Sequence, residues 1–199
     1  MINLKSRSFA VAIAIATLAV VTGCSSSPQP NYYLLKAPAK GQNAELRAGP
    51  TVLLQSVTLP DHLKRSEVIF EPSGNTVAFS TLDRWAEPLE RNISDVIVSV
   101  LGGRYGAANV FDRWAGFTSR PDIVVRLDIG QMAVSDDSAT LSASWELSTK
   151  SDEKPQLFSY QSQTPVSGFD ASSKVGAIEQ AIVGLAMEIE ASINEVKGQ

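Results

Sequence analysis

The chain has 199 residues, 44% of them hydrophobic and 19% charged, a balance that suits one domain with a real core. Its formal charge is −4. Lys5 and Arg7 are the only charges in the first 23 residues, so the remainder carries 15 bases against 21 acids, a net of −6. Such an acidic body argues against binding a phosphate backbone, and a single Cys excludes an internal disulfide or a Cys-rich metal site.

Lys5 and Arg7 precede an uncharged apolar run of thirteen residues from Phe9 to Val21, shorter than the roughly 20 that a membrane-spanning helix needs. A basic start and a short apolar run make a secretory signal peptide. Val21-Thr22-Gly23-Cys24 then matches the bacterial lipobox, and the chain's lone Cys stands at its end. The expected organisation is a signal peptide over 1–23, a lipidated Cys24 with a polar, Pro-rich tether over 24–30, and one domain over 31–199. Cys24 is expected to carry a diacylglycerol on its thiol and an acyl group on its new amine. Ser25 follows it, where Asp would mark inner-membrane retention in enterobacteria; Ser resembles the outer-membrane sorting class. The expected location is the periplasmic face of the outer membrane, with the inner membrane as the other possibility.

Along the body, Thr51–Leu59 is β-branched and ends at Pro60, which predicts a buried strand. Glu67–Glu71 and Thr76–Ser80 flank Pro72-Ser73-Gly74-Asn75 and predict a hairpin. Apolar residues at 85, 89, 93, 96, 97, 100 and 101 form a helical stripe, with Pro88 near its start and Gly102-Gly103 after its end. Val110-Phe111 is read as a short strand. Ile123–Ile129 and Ala139–Thr149 are expected to pair across Asp136-Asp137-Ser138, and Leu157–Thr164 adds a further strand. Leu141, Ala143, Trp145 and Leu147 alternate with Ser142, Ser144, Glu146 and Ser148, giving one core face and one wet face. Val175, Ile178, Ile182, Leu185, Ile189, Ile193 and Val196 mark a long amphipathic helix after the cap candidates Asp170 and Ser172. The fold class is a single α+β domain: a mainly antiparallel or mixed sheet of about five or six strands with two amphipathic helices on one face, attached to a lipid anchor.

Catalytic chemistry is not visible in the pattern. His62 is the only imidazole, no Gly-x-Ser-x-Gly elbow accompanies it, and it is read as a polar residue following the strand-ending Pro60. One His and scattered acids lack metal-ligand spacing, so no metal site is expected. Gly102-Gly103-Arg104-Tyr105-Gly106 follows a helix instead of opening one, which is the wrong side for cradling a phosphate. Neither a catalytic residue nor a dissociable cofactor is assigned.

Several segments carry a resemblance. Asn31-Tyr32-Tyr33-Leu34-Leu35, Val57-Thr58-Leu59-Pro60-Asp61-His62-Leu63, Val68-Ile69-Phe70 with Thr76-Val77-Ala78-Phe79, and Arg84-Trp85-Ala86-Glu87-Pro88-Leu89 occur in order behind the lipobox. Ala143-Ser144-Trp145-Glu146-Leu147 and the closing helix follow. Together they resemble the ABC-type transport auxiliary lipoproteins, the PqiC-like family that works with MCE proteins. His62 stands where the family more often has Tyr.

The resemblance implies a non-catalytic accessory lipoprotein of an intermembrane system that moves lipid or other hydrophobic compounds and supports envelope integrity. Its implied partners are an MCE-domain protein, the associated ABC permease and ATPase, and further copies of itself. Pro60, Leu63, Trp85, Pro88 and Leu89 are the family-motif residues, structural or interacting. Trp114 and Phe117, in a Gly-containing loop, are candidate interface anchors. The alternative reading is a periplasmic carrier holding lipid between sheet and helices; an envelope hydrolase ranks behind both.

Overall fold

The computed structural model describes residues 28–37, 49–71, 76–112, 120–150 and 154–197. These form eight strands and two α-helices: β1 (Asn31–Tyr33), β2 (Val52–Thr58), β3 (Glu67–Phe70), β4 (Ala78–Trp85), α1 (Leu89–Tyr105), β5 (Val110–Asp112), β6 (Ile123–Val134), β7 (Ser138–Thr149), β8 (Gln156–Pro165) and α2 (Ala171–Lys197). The strands divide into two mixed sheets, β5-β2-β6-β7-β8 and β1-β4-β3. The α+β class with two helices therefore holds. The single sheet expected is two, because β1 joins the β3–β4 hairpin in a sheet separate from the other five strands.

In the large sheet β2 runs parallel to both β5 and β6, while β6, β7 and β8 form an antiparallel meander. Alternation sets its faces. Val125, Leu127 and Ile129 of β6 and Leu141, Ala143, Trp145 and Leu147 of β7 are buried, whereas Arg126, Asp128 and Ser144 face water. Both helices cover the buried side. Trp145 stacks on Phe158 with ring centroids 5.7 Å apart, and its Nε1–H donates to Ser192 Oγ of α2 at 3.0 Å. Burying such a ring with its N–H satisfied joins sheet and helix without a desolvation cost left over.

The β6 strand runs five residues past the expected Ile129. Its register slips between Ile129 and Gln131, and burial resumes at Met132 and Val134, one residue out of phase. Gly130 lies in this bulge, where the extra residue breaks the alternation that defines a strand in sequence. Likewise β4 reaches Trp85 instead of stopping at Ser80. Between Phe79 and Arg84 its ladder to β3 is interrupted, and Ser80 Oγ accepts from the Leu82 and Asp83 amides there.

The helices begin and end for local reasons. Trp85 is the last residue of β4, not the first of the helical stripe. The residue before a proline is steered away from helical dihedrals, so Glu87 keeps α1 from starting before Pro88, whose carbonyl accepts from the Arg91 and Asn92 amides. Gly102 and Gly103 are helical; α1 ends at Gly106, with φ 98°, whose N–H donates to the Gly102 carbonyl. At α2 the Asp170 carboxylate accepts from the Ser173 amide at 2.9 Å, so Asp170 is the cap and Ser172 lies inside the helix. The whole stripe Val175 to Val196 is buried, and no helix among the described residues is long and apolar enough to cross a membrane.

Candidate functional site

The family-motif residues converge where α1 begins. Pro60 closes β2, and its carbonyl accepts from the Leu63 amide at 2.9 Å, winding Asp61–Lys64 into a 3₁₀ turn that inserts Leu63 into the core. Trp85 donates its amide to the Ser66 carbonyl and pairs with Tyr33 on β1; Ala86 donates to the Tyr33 carbonyl. Leu63, Trp85 and Leu89 are all buried in one hydrophobic cluster, while Pro88 stays exposed. Sequence positions 26 residues apart thus meet, and their visible work is to lock the turn after β2 and the end of β4 to the start of α1.

Asn92, one turn into α1, fastens the chain entry to this cluster. It is buried, accepts from the Leu35 amide through Oδ1 at 2.6 Å and donates Nδ2 to the Leu35 carbonyl at 3.1 Å. One amide side chain thereby satisfies both backbone groups of a buried residue. A polar residue on the buried side of an apolar helix is a sequence signal for such a bond, although its partner, 57 residues away, is not.

Beside the motif an open groove of about 420 Å³ runs between Gln55–Thr58 of β2 and Pro88, Glu90, Arg91 and Ser94 of α1, with Lys64 at its rim. Its cations are already engaged: Lys64 Nζ binds Asp61 at 2.7 Å, and Arg91 lies between Glu87 and Asp95. Between sheet and helices the space is filled. Leu54, Ile93, Ile97, Leu127, Leu141, Leu147, Ile182 and Leu185 are each under 2% exposed, which leaves no ligand-sized void among them. That packing weighs against the lipid-carrier reading.

Elsewhere one carboxylate ties two strands together. Asp122 accepts from Lys150 Nζ at 2.7 Å and from the Thr51 amide and hydroxyl at 2.8 and 2.7 Å, clamping the start of β6 to that of β2. The Lys150 bond first, then the two from Thr51, hold its carboxyl well below the usual carboxylate range. His62 is exposed on the 3₁₀ turn. Among the described residues no three His, Cys, Asp or Glu side chains gather as a metal site would require. Cys24, Trp114 and Phe117 lie outside the described residues.

The family model for the ABC-type transport auxiliary lipoprotein component matches residues 32–190. The intermembrane transport lipoproteins PqiC of Escherichia coli K12 and of Shigella flexneri are each 30% identical over 97 residues, 48% of this chain and 50% of theirs; the chain thus spans about half the length of these curated relatives. Two crystal structures share the fold. One, of an uncharacterized protein, has a TM-score of 0.67 at 15% identity, covering 83% of this chain and 99% of the other. Protein XCC0632 from Xanthomonas campestris has a TM-score of 0.64 at 17% identity, covering 80% and 91%. With the motif residues packed together at the head of α1 and the family model spanning most of the body, the chain belongs to the ABC-type transport auxiliary lipoprotein family.

Proposed function

We propose that this protein is a non-catalytic accessory lipoprotein of an intermembrane transport system for lipid or other hydrophobic compounds. It is anchored through diacylglycerol and an N-acyl group on Cys24 and faces the periplasm from the outer membrane. It assembles with further copies of itself and engages an MCE-domain protein whose ABC permease and ATPase supply the energy. The observation that carries this reading is the coincidence of a lipobox holding the chain's only Cys with the family match over residues 32–190. The relatives' names supply the transport class. The filled core favours a structural accessory over a carrier.

The test begins with radioactive palmitate: the parent should label and Cys24→Ala should not, with the labelled protein fractionating with outer-membrane markers. Solubilised envelopes should then yield an MCE-domain protein on the tagged parent. Unlabelled parent, or labelled parent that sediments as a monomer and captures no MCE protein, overturns the proposal.

A further inference from the structure

Among the described residues, four of the seven exposed large apolar side chains lie on or beside the small sheet. Tyr32 (64% exposed) and Leu34 belong to β1 and its continuation, and Val77 and Phe79 (42%) lie on or beside β4. Phe169, 92% exposed, stands apart from these: it precedes α2, whose Lys174 lies 4.7 Å from the Phe70 ring on the other face of β3. Soluble domains expose single apolar residues freely, but a contiguous patch marks a contact surface.

Register and side-chain contacts make this patch a strip across the small sheet. Tyr32 pairs with Arg84, and Arg84 pairs with Glu67, placing the three on one face. Arg84 reaches Glu67 at 3.4 Å, Arg65 reaches the same carboxylate at 3.3 Å, and the Arg65 guanidinium lies 4.6 Å from the centre of the Phe79 ring. The opposite face turns Trp85 and Val68 into the core. Two arginines against one carboxylate make the strip net positive on a body whose charge beyond residue 23 is −6.

We infer that this strip, Tyr32–Arg84–Glu67–Arg65–Phe79, is a docking face that seats the domain on the surface of an anionic bilayer. The inference rests on the lipoprotein reading, since Cys24 supplies the anchor. Asn31 is seven residues beyond Cys24, and an extended chain spans at most about 3.6 Å per residue, so the start of β1, next to Tyr32, stays within about 25 Å of the anchor. Aromatic rings settle at the boundary between headgroups and acyl chains, and guanidinium groups bind phosphates in bidentate fashion. The strip offers both, since two guanidinium groups that share the single Glu67 carboxylate keep further N–H donors for phosphate, and it turns the acidic remainder of the molecule away from an anionic surface.

Because acylation consumes the only native thiol, a fluorophore can be placed at one new site at a time. Full-length Tyr32→Cys, Phe79→Cys and, on the exposed edge strand, Leu157→Cys are produced in cells and checked by mass for the acyl group on Cys24. Each is labelled with a polarity-sensitive dye and reconstituted into vesicles of phosphatidylethanolamine with phosphatidylglycerol. Probes at 32 and 79 should shift to the blue and be quenched by doxyl-labelled lipid, while the probe at 157 should remain water-like. Arg65→Gln combined with Arg84→Gln should reverse the shift. Water-like probes at 32 and 79 on an acylated chain overturn the docking face alone, also when intact envelopes shield them, which would assign the strip to a protein partner. An unacylated chain overturns the lipoprotein reading and this inference with it.

Discussion

Replacing Asn92 with Ala tests whether one side chain holds the segment around Leu35 to α1. Asn92→Ala removes the bonds at 2.6 and 3.1 Å and leaves the Leu35 amide and carbonyl buried without partners, Leu35 being 4% exposed. An orphaned buried polar group costs about 1–3 kcal/mol, so two of them, partly relieved by relaxation, cost about 3 kcal/mol. For a domain of this size that is about 6–12 °C in Tm. Urea unfolding of the protein should show it as a lower midpoint with unchanged slope, and hydrogen exchange at Leu35 should lose its protection. Asn92→Asp is the discriminating control. Its carboxylate still accepts from the Leu35 amide but turns a second oxygen toward the Leu35 carbonyl, which only a protonated carboxyl can satisfy. Burial and that carbonyl raise the folded-state pKa above the unfolded value of about 3.9, so the folded form binds the proton more tightly. The variant should therefore recover stability as pH falls through the folded pKa, reaching its full gain below the unfolded one. An Asn92→Ala protein within 0.5 kcal/mol of the parent, or an Asn92→Asp protein that loses stability relative to the parent on acidification, would refute the reasoning.

Two further outcomes follow from local geometry. A Cβ at Gly49 would sit 2.5 Å from the Tyr105 carbonyl oxygen, so Gly49→Ala should cost about 1–3 kcal/mol; at Gly103, helical with nothing within 4 Å, the same change should add about 0.5–1 kcal/mol, both read from urea midpoints. Because the Asp122 pKa is depressed on folding, its contribution to stability is present above about pH 4 and is lost as pH falls through the folded value. Asp122→Asn should therefore flatten the acid limb relative to the parent, and identical limbs from pH 5 downward would show that the clamp to Lys150 and Thr51 is not made in solution.

Periodicity made the long helix legible. Val175 to Val196 recur on one face at 3.6 residues per turn, and every one of them is buried, because a helix long enough to repeat its stripe has a single solution. The alternation of Leu141 to Leu147 likewise fixed which face of β7 is core. Where the period is interrupted, local pattern fails. The bulge at Gly130 shifts the phase of β6, and the interruption at Ser80–Asp83 hides the second half of β4, so Trp85 looked helical while it closes a strand. Motif order identified Pro60, Leu63, Trp85, Pro88 and Leu89, but not that three of them share one buried cluster.

Strand partnership is a long-range choice that no residue encodes by itself. That β2 lies between β5 and β6, that β1 joins β4 and β3 in a separate sheet, and that Asn92 meets Leu35 were decided only on folding, when buried polar groups had to find partners far along the chain. The strip from Tyr32 to Phe79 is a product of the same choice. Its residues come from three segments, unremarkable one by one, and become a surface only because β4 is paired on both edges and turns one face of the small sheet outward.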